Sequence, residues 1–195
     1  MKENKLPRKP KNLEKRTREY LTEEEIDRLL KAARGLGRYG HRDYTMLLIS
    51  YTHGLRVSEL IELKWEQVDF NNNLIHVNRS KNGLSSVQPL RTVEVRALKK
   101  LQKETKIKSP FIFLSERDTP LTPSSLHKII VRAGKKSGID FPVHMHMLRH
   151  SCGYKLANKG VDTRALQQYL GHRNIQNTVL YSQLSSKRFE KFWDD

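Results

Sequence analysis

The sequence has little cysteine and no long hydrophobic run. Its single cysteine, Cys152, cannot form a disulfide within the chain, so we expect a reducing cytoplasm. No apolar stretch approaches the ~20 residues that a membrane helix needs, and the basic N-terminus lacks the apolar segment of a signal peptide. These absences argue against a disulfide-stabilised secreted protein and against a membrane anchor.

Negative charge is also scarce. The 195 residues include 37 lysines and arginines against 21 aspartates and glutamates, a formal net charge of +16. Such an excess favours a polyanionic partner, and nucleic acid is the commonest soluble one. The alternative is that the charges are only solvated. A hydrophobic fraction of 36% and a charged fraction of 30% indicate a globular chain and argue against disorder throughout.

Residues 1–20 form a basic segment with two prolines and little to bury. We predict a flexible arm here that becomes ordered on DNA phosphates; a disordered tail that aids solubility is the alternative. The rest of the chain, residues 21–195, is predicted to be one domain. The candidate DNA contacts in the arm are Lys5, Arg8, Lys9, Lys11 and Arg16.

Apolar residues at helical spacing predict that most of this domain is helical. Thr22 followed by Glu25 is a capping-box pattern at the start of the first helix, and Gly54 ends the second. Thr122 before Pro123 marks another helix start. The other predicted helices lie at 58–64, around 93–101, and at roughly 147–159, 163–170, 174–182 and 186–193.

One stretch changes from helical to extended periodicity. We predict strands at 68–70 and 74–77, and a third strand over 84–90. The Asn82-Gly83 pair predicts a two-residue hairpin turn between the second and third strands. The predicted fold class is therefore α+β, mainly α, with a small antiparallel three-stranded sheet.

Three short patterns bring together the residue types that DNA strand transfer needs. An attacked phosphodiester accumulates negative charge, which fixed cationic donors stabilise, and the planar arginine fork suits two phosphate oxygens. Taken singly, each residue also has a structural explanation, so the hypothesis rests on their joint order. The patterns hold Arg56 and Glu59 in THGLRVSEL, His146, Arg149 and His150 in HMLRHS, and His172 in LGHRN, nine residues before Tyr181.

Each step of such a reaction has a candidate residue. A phenol with a reference pKa of about 10 is a weak nucleophile at neutral pH, so Tyr181 needs a base or cations. His146, three residues before Arg149 and so on the same helical face, is the candidate proton acceptor. Lys81, beside the predicted hairpin turn, is the candidate donor to the leaving 5′ oxygen. Neither role needs a metal or another cofactor.

In this order along the chain, the motifs resemble those of the tyrosine recombinases, the phage integrase family. The stretches HMLRHSCG, VDTRALQQYLGHRNIQNTVLY and RFEKFWDD resemble in particular the short recombinases that invert bacterial fimbrial promoter switches. The resemblance covers about residues 20–195. It implies a recombinase catalytic domain that cleaves and rejoins DNA through a 3′-phosphotyrosyl intermediate, in inversion, integration or excision.

The resemblance also implies residue roles. Tyr181 would be the nucleophile and Lys81 the general acid, with Arg79 as another cation close by. Arg79 and Arg173 are further candidate DNA contacts. The implied catalytic set is Arg56, Lys81, His146, Arg149, His172 and Tyr181, supported by Glu59 and His150.

The family resemblance implies an assembly on double-stranded DNA. Its members act as homotetramers on two paired sites, so we expect nucleoid association on DNA and accessory DNA-bending proteins as candidate partners. Family protomers exchange a C-terminal segment; for residues 186–195 both exchange and packing on their own protomer stay open. Most members also have a separate N-terminal domain, for which residues 1–20 are too short, so either the arm substitutes for it or the chain is a catalytic fragment.

Three other functions fit parts of the pattern. A DNA-binding regulator that keeps the fold without catalysis would share the charge, and a type IB topoisomerase would share the chemistry without exchanging strands between sites. A metal-dependent nuclease needs carboxylate or cysteine ligands beside the histidines. DNA cleavage that survives metal chelation would remove this last alternative. Its histidines would be His144, His146, His150 and His172.

Overall fold

The computed structural model describes residues 18–79, 83–105 and 107–183. Most of the predicted basic arm, Lys81 of the predicted catalytic set and the predicted C-terminal helix lie outside these ranges. Within them the fold class is confirmed, since the domain is mainly helical and contains one small antiparallel sheet. The helices are α1 (Glu23–Arg34), α2 (Gly40–His53), α3 (Val57–Ile61), α4 (Thr92–Glu104), α5 (Pro123–Lys136), α6 (Met145–Asn158), α7 (Thr163–Leu170) and α8 (Gln176–Gln183).

Helix α1 begins where the capping-box pattern predicts. The Thr22 hydroxyl accepts from the Glu25 backbone N–H at 3.3 Å, and the Glu25 carboxylate accepts from the Thr22 N–H at 2.8 Å. Two of the N–H groups that a helix start leaves without partners are thereby satisfied. The apolar face of α1 is buried against α2 and α5.

Helix α2 forms the centre of the domain. Its sequence, GHRDYTMLLISYTH, mixes apolar and polar residues, and almost all of them are buried, including the ion pair of Arg42 and Asp43. It packs against α1, α4 and α6. Gly54 ends it in the left-handed conformation, with φ of 57°, which glycine adopts without steric cost. The chain then turns directly into α3, so Arg56 lies beside the C-terminus of α2.

The sheet contains β1 (Val68–Asp69), β2 (Leu74–Val77) and β3 (Ser86–Pro89), paired in that order. Val77 pairs with Ser86, whereas a regular hairpin closed by a two-residue turn at Asn82-Gly83 would pair Val77 with Gln88; Asn82 of the predicted turn lies outside the described residues. The buried Gln88 side chain explains the register. Its Oε1 lies 2.7 Å from Nδ1 of His53, and its Nε2 donates to the Tyr169 carbonyl at 2.8 Å.

Helix α6 carries the second motif and is enclosed by α2, α7 and α8. The third motif begins at the end of α7 and continues into α8, so both lie against α6. None of the helices in the described ranges is long and apolar enough to cross a membrane.

Candidate active site

The first two motifs meet at the carbonyl oxygen of Gly54. Arg149 on α6 donates from Nη1 to this oxygen, and from Nη2 to the Leu170 carbonyl at 2.7 Å. These oxygens belong to the last turns of α2 and α7, where carbonyls lack helical partners and carry partial negative charge. One arginine therefore ties together the ends of two helices that are distant in sequence.

Arg149 is 1% exposed, and its pKa is lowered to about 10. Burial is the main cause, and the positive charges of Arg56 and Arg79 add to it. The value is still far above neutral pH, so the guanidinium keeps its charge. A cation fixed in a poorly hydrated site stabilises a nearby anion more strongly than a solvated cation does.

Arg56 is the more exposed cation of the site, with 28% of its side chain accessible. Its Nη1 donates to Oε1 of Glu59 at 2.7 Å, and its backbone N–H donates to Oε2 at 2.9 Å. Because Glu59 lies one turn into α3, this pair closes the start of the helix and fixes the arginine side chain. Arg56 is therefore held in place while part of its guanidinium faces solvent.

The Glu59 carboxylate is nearly buried but stays ionised. Burial by itself would raise its pKa, but the Arg56 backbone N–H and the charge and hydrogen bond of Arg79 outweigh that effect and hold the pKa below its usual value. The guanidiniums of Arg56 and Arg79 thus share one carboxylate, and Arg149 shares the Gly54 carbonyl with Arg79. Arg56, Arg79, Arg149 and Glu59 are called the arginine cluster below. The cluster carries a net positive charge, which favours binding of an anionic group such as a phosphate.

Arg79, a predicted DNA contact, has its side chain buried inside the protein. The Arg79 side chain is 0% exposed and donates to Glu59, to the backbone carbonyls of His53 and Gly54, and to the Tyr169 carbonyl. The physical reason is strand alternation, which directs Ile75, Val77 and Arg79 to the same inner face. A guanidinium enclosed in this way is not presented to a DNA backbone.

Tyr181 lies against α6, with its hydroxyl 3.0 Å from Nδ1 of His150. It is 4% exposed, and burial is the main reason that its pKa rises to about 12. The phenol is therefore protonated at neutral pH and needs a proton acceptor before it can attack. The structure brings His150 to this position, whereas the sequence favoured His146.

His146 lies one turn earlier on α6 and is exposed. Its ring meets the edge of the His150 ring, with centroids 4.4 Å apart. Burial and the positive charge of Arg149 lower the pKa of His146, and burial together with His146 lowers that of His150 to about 4. Both imidazoles are consequently neutral at pH 7, the form in which a ring nitrogen can accept a proton.

The ring of Tyr181 fits over the one glycine in the middle of α6. A Cβ atom at Gly153 would lie 2.7 Å from the Tyr181 ring, far closer than van der Waals contact. The Tyr154 ring packs edge-on against the same ring, with centroids 5.5 Å apart. Tyr181, His150, Gly153 and Tyr154 are called the nucleophile cluster below.

His172 completes the site from the loop between α7 and α8. It is 7% exposed, its ring is stacked with that of Tyr181, and its Nδ1 lies 2.8 Å from the Thr178 hydroxyl. Burial, with Arg149, Arg56 and Arg79 adding to it, lowers its pKa to about 4. Gln167 fixes the loop by donating to the backbone carbonyls of His172 and Arg173.

The remaining predicted residues are not all brought to the site. Arg173 is exposed beside it, while the arm residues Lys5, Arg8, Lys9, Lys11 and Arg16 and the predicted acid Lys81 lie outside the described residues. Within the described ranges, no group of three or more His, Cys, Asp or Glu side chains is arranged to hold a metal ion.

Sequence reasoning missed three residues that shape the site: Gly153, Thr178 and Gln167. Gly153 had a usable signal, because glycine in a helix interior costs about 1 kcal/mol relative to alanine and calls for a packing reason. Thr178 and Gln167 had none, since their roles depend on how the loop around His172 folds.

Comparison with known proteins identifies this arrangement. Residues 19–188 match the Phage integrase family. The type 1 fimbriae regulatory protein FimE of Escherichia coli K12 is 41% identical over 182 residues, which cover 91% of each chain.

Solved structures agree with this match. The crystal structure of XerA recombinase superposes with a TM-score of 0.79 at 28% identity, covering 90% of this chain and 65% of that one. The Tn1549 transposon integrase, in complex with circular intermediate DNA, gives 0.71 at 26% identity, covering 83% and 61%. The chain thus spans somewhat under two thirds of those two structures and most of FimE. It belongs to the phage integrase family, the tyrosine recombinases.

Proposed function

We propose that this protein is a site-specific DNA recombinase in which Tyr181 attacks a DNA phosphate held by the arginine cluster. The observation that carries the proposal is the 3.0 Å contact between the Tyr181 hydroxyl and His150. A buried phenol with a neutral imidazole at its oxygen, beside fixed guanidiniums, has the parts of a nucleophilic phosphoryl transfer. Membership of the family and the similarity to FimE support it.

In the proposed step, the Tyr181 oxygen forms a bond to phosphorus as its proton passes to Nδ1 of His150. The bond from phosphorus to the 5′ oxygen breaks, which leaves a 3′-phosphotyrosyl link and a 5′ hydroxyl. Lys81 is the proposed donor of the proton to that oxygen. Arg56 and Arg149 stabilise the charge on the non-bridging oxygens, and His172 and the exposed His146 are proposed as further donors. Rejoining reverses each transfer with a new 5′ hydroxyl.

Tyr181 must become accessible for this reaction. Its side chain is nearly buried, and its ring packs against Tyr154 on α6 and against His172 in the preceding loop. We infer that DNA binding shifts α8 enough to present the phenol oxygen to the phosphate. The shift requires the contacts of the Tyr181 side chain with His150, Tyr154 and His172 to be rearranged.

The proposed substrate, reaction outcome and assembly are inferred from the family. We propose double-stranded DNA as the substrate, supported by the net charge and by the DNA complex of the Tn1549 integrase. The similarity to FimE favours inversion of a DNA segment over integration or excision. A homotetramer on two paired sites, accessory DNA-bending proteins and association with the nucleoid belong to the same proposal, as do DNA contacts by the arm and by Arg173.

The test is covalent capture. The protein is incubated in chelator with a supercoiled plasmid library of chromosomal fragments from its source organism, and adducts are separated on denaturing gels. We expect an adduct with the wild type and with Tyr154→Phe, the neighbouring tyrosine, and none with Tyr181→Phe. An adduct that persists with Tyr181→Phe would overturn the assignment of the nucleophile. Relaxed plasmid without recombinant product would indicate a topoisomerase instead.

A further inference from the structure

We propose that Arg79 is a positioning residue, whose buried guanidinium holds Arg56 and Arg149 in the orientation in which both bind one phosphate. This inference rests on the proposed function. It assigns to Arg79 an internal role in place of the DNA contact that the sequence suggested.

The contacts of Arg79 reach four separate segments. Its Nη1 donates to Oε2 of Glu59 at 2.9 Å and to the Gly54 carbonyl at 3.2 Å. Its Nη2 donates to the His53 carbonyl at 3.0 Å and to the Tyr169 carbonyl. One side chain therefore joins the connection after β2 to the end of α2, to α3 and to α7.

Two of these acceptors are shared with the predicted substrate-binding arginines. The Gly54 carbonyl also accepts from Arg149, and the Glu59 carboxylate also accepts from Arg56 at 2.7 Å. Arg79 thus fixes the acceptor on which each of the other two arginines depends. Without it, the Glu59 carboxylate would lose a buried guanidinium partner, and the Arg56 side chain that depends on this carboxylate would be held less firmly.

Stability alone does not explain a buried arginine at this position. Desolvation opposes the charge and is the main reason that the pKa of Arg79 is lowered. Its Nε, moreover, has no hydrogen-bond partner within the described residues. A whole buried ion pair can often be replaced by apolar side chains with little loss of stability, whereas removing one partner destabilises the protein because the other charge stays buried. In Arg79→Met the Glu59 carboxylate keeps Arg56 as an ion-pair partner, so we expect this variant to fold with lowered stability, which makes the positioning role testable.

Arg79→Met should slow cleavage without weakening DNA binding. Losing a residue that supports substrate-binding groups typically costs about 10- to 100-fold in rate, so we expect a fall of that size in the single-turnover rate. The affinity for a DNA duplex carrying the target site should change by less than about 3-fold, because the Arg79 side chain is fully enclosed. Arg79→Lys keeps the positive charge but lacks the forked guanidinium, so it should cleave nearly as slowly as Arg79→Met.

The decisive measurement replaces the scissile phosphate by a methylphosphonate, which has lost one negative charge. If Arg79 acts through Arg56 and Arg149, the rate ratio of wild type to Arg79→Met should fall from about 10–100 on the phosphodiester to below about 3 on the methylphosphonate. Arg56→Ala should show the same suppression. Arg96→Met, an exposed arginine on α4, should match the wild type on both substrates.

Each result has one interpretation. Equal defects of Arg79→Met on both substrates, or no defect, would overturn the positioning role, provided that circular dichroism and melting show a folded protein. If Arg79→Met does not fold, Arg79→Lys carries the same comparison. Failure of the proposed function is distinguishable, because the wild type would then form no tyrosine adduct on either substrate.

Discussion

The arginine cluster and the nucleophile cluster are held by different kinds of interaction. Arg79 and Arg149 are bonded to backbone carbonyls at the ends of helices, which cannot move unless the core moves with them. Tyr181 is held by packing of its ring against Tyr154 and His172 and by a hydrogen bond with His150. Phosphate-binding groups gain from a geometry fixed in advance, whereas a nucleophile that must reach its target gains from weaker restraint.

The largest effect should come from the arginine cluster. Arg149→Lys removes the forked contacts to Gly54 and Leu170 and misplaces the charge, so we expect the cleavage rate to fall by about 10³-fold. The check is single-turnover adduct formation on the target duplex, with DNA affinity measured in parallel. A fall of less than 10-fold in a folded variant would show that the position of this guanidinium is not critical.

The next effect tests which histidine serves the phenol. His150→Gln removes the proton acceptor at Tyr181, and we expect adduct formation at pH 7.5 to fall by about 10²-fold. His146→Gln is the matched change one turn earlier on α6 and should cost less. If His146→Gln proves the more damaging, the proton passes to His146 on DNA, and the contact seen here belongs to the resting state.

A smaller effect should follow from filling the space under the nucleophile. Gly153→Ala places a Cβ 2.7 Å from the Tyr181 ring, so we expect a loss of about 1–3 kcal/mol of stability and displacement of α8. Cleavage should slow by about 10-fold at a temperature where the protein stays folded. Gly134→Ala, whose Cβ would lie 2.9 Å from Val143 in the core, is the control.

The two glycine variants separate position from stability. Gly134→Ala should lower the unfolding midpoint in urea by a similar amount and leave the cleavage rate unchanged. Equal cleavage rates for Gly153→Ala and Gly134→Ala would mean that the reaction does not depend on the observed position of Tyr181 against α6.

The smallest effect concerns stability against pH. The folded pKa of His172 is about 4, below the unfolded value of about 6.5, so between these values the unfolded chain binds a proton that the folded site excludes. Stability should therefore fall as pH drops from 6.5 towards 4, by at most about 1.4 kcal/mol per pH unit for this group, and be unaffected above 6.5.

Urea unfolding at pH 7.5 and 5.5 measures this dependence. His172→Asn should reduce the difference between the two midpoints, while His127→Asn, at an exposed position on α5, should leave it as it is. An unchanged difference in His172→Asn would mean that other groups cause the acid sensitivity.

Local signals in the sequence determined the helix boundaries and the identity of the site. Thr22 with Glu25, Gly54, and Thr122 with Pro123 mark helix ends in the structure as predicted, because caps and glycine conformations depend on neighbouring residues only. The motif residues Arg56, Arg149, His172 and Tyr181 lie near one another in the structure, as the proposed phosphate site requires.

Only the tertiary structure decided which side chain contacts which. The sheet register, the inward direction of Arg79 and the choice of His150 over His146 each depend on how α7 and α8 pack against α6 and the sheet. His146 and His150 are one helical turn apart, about 5.4 Å along the axis. The sequence pattern places both on one face of α6 but does not determine which of them lies opposite the Tyr181 hydroxyl. Packing between segments distant in sequence determines this, and no local propensity encodes it.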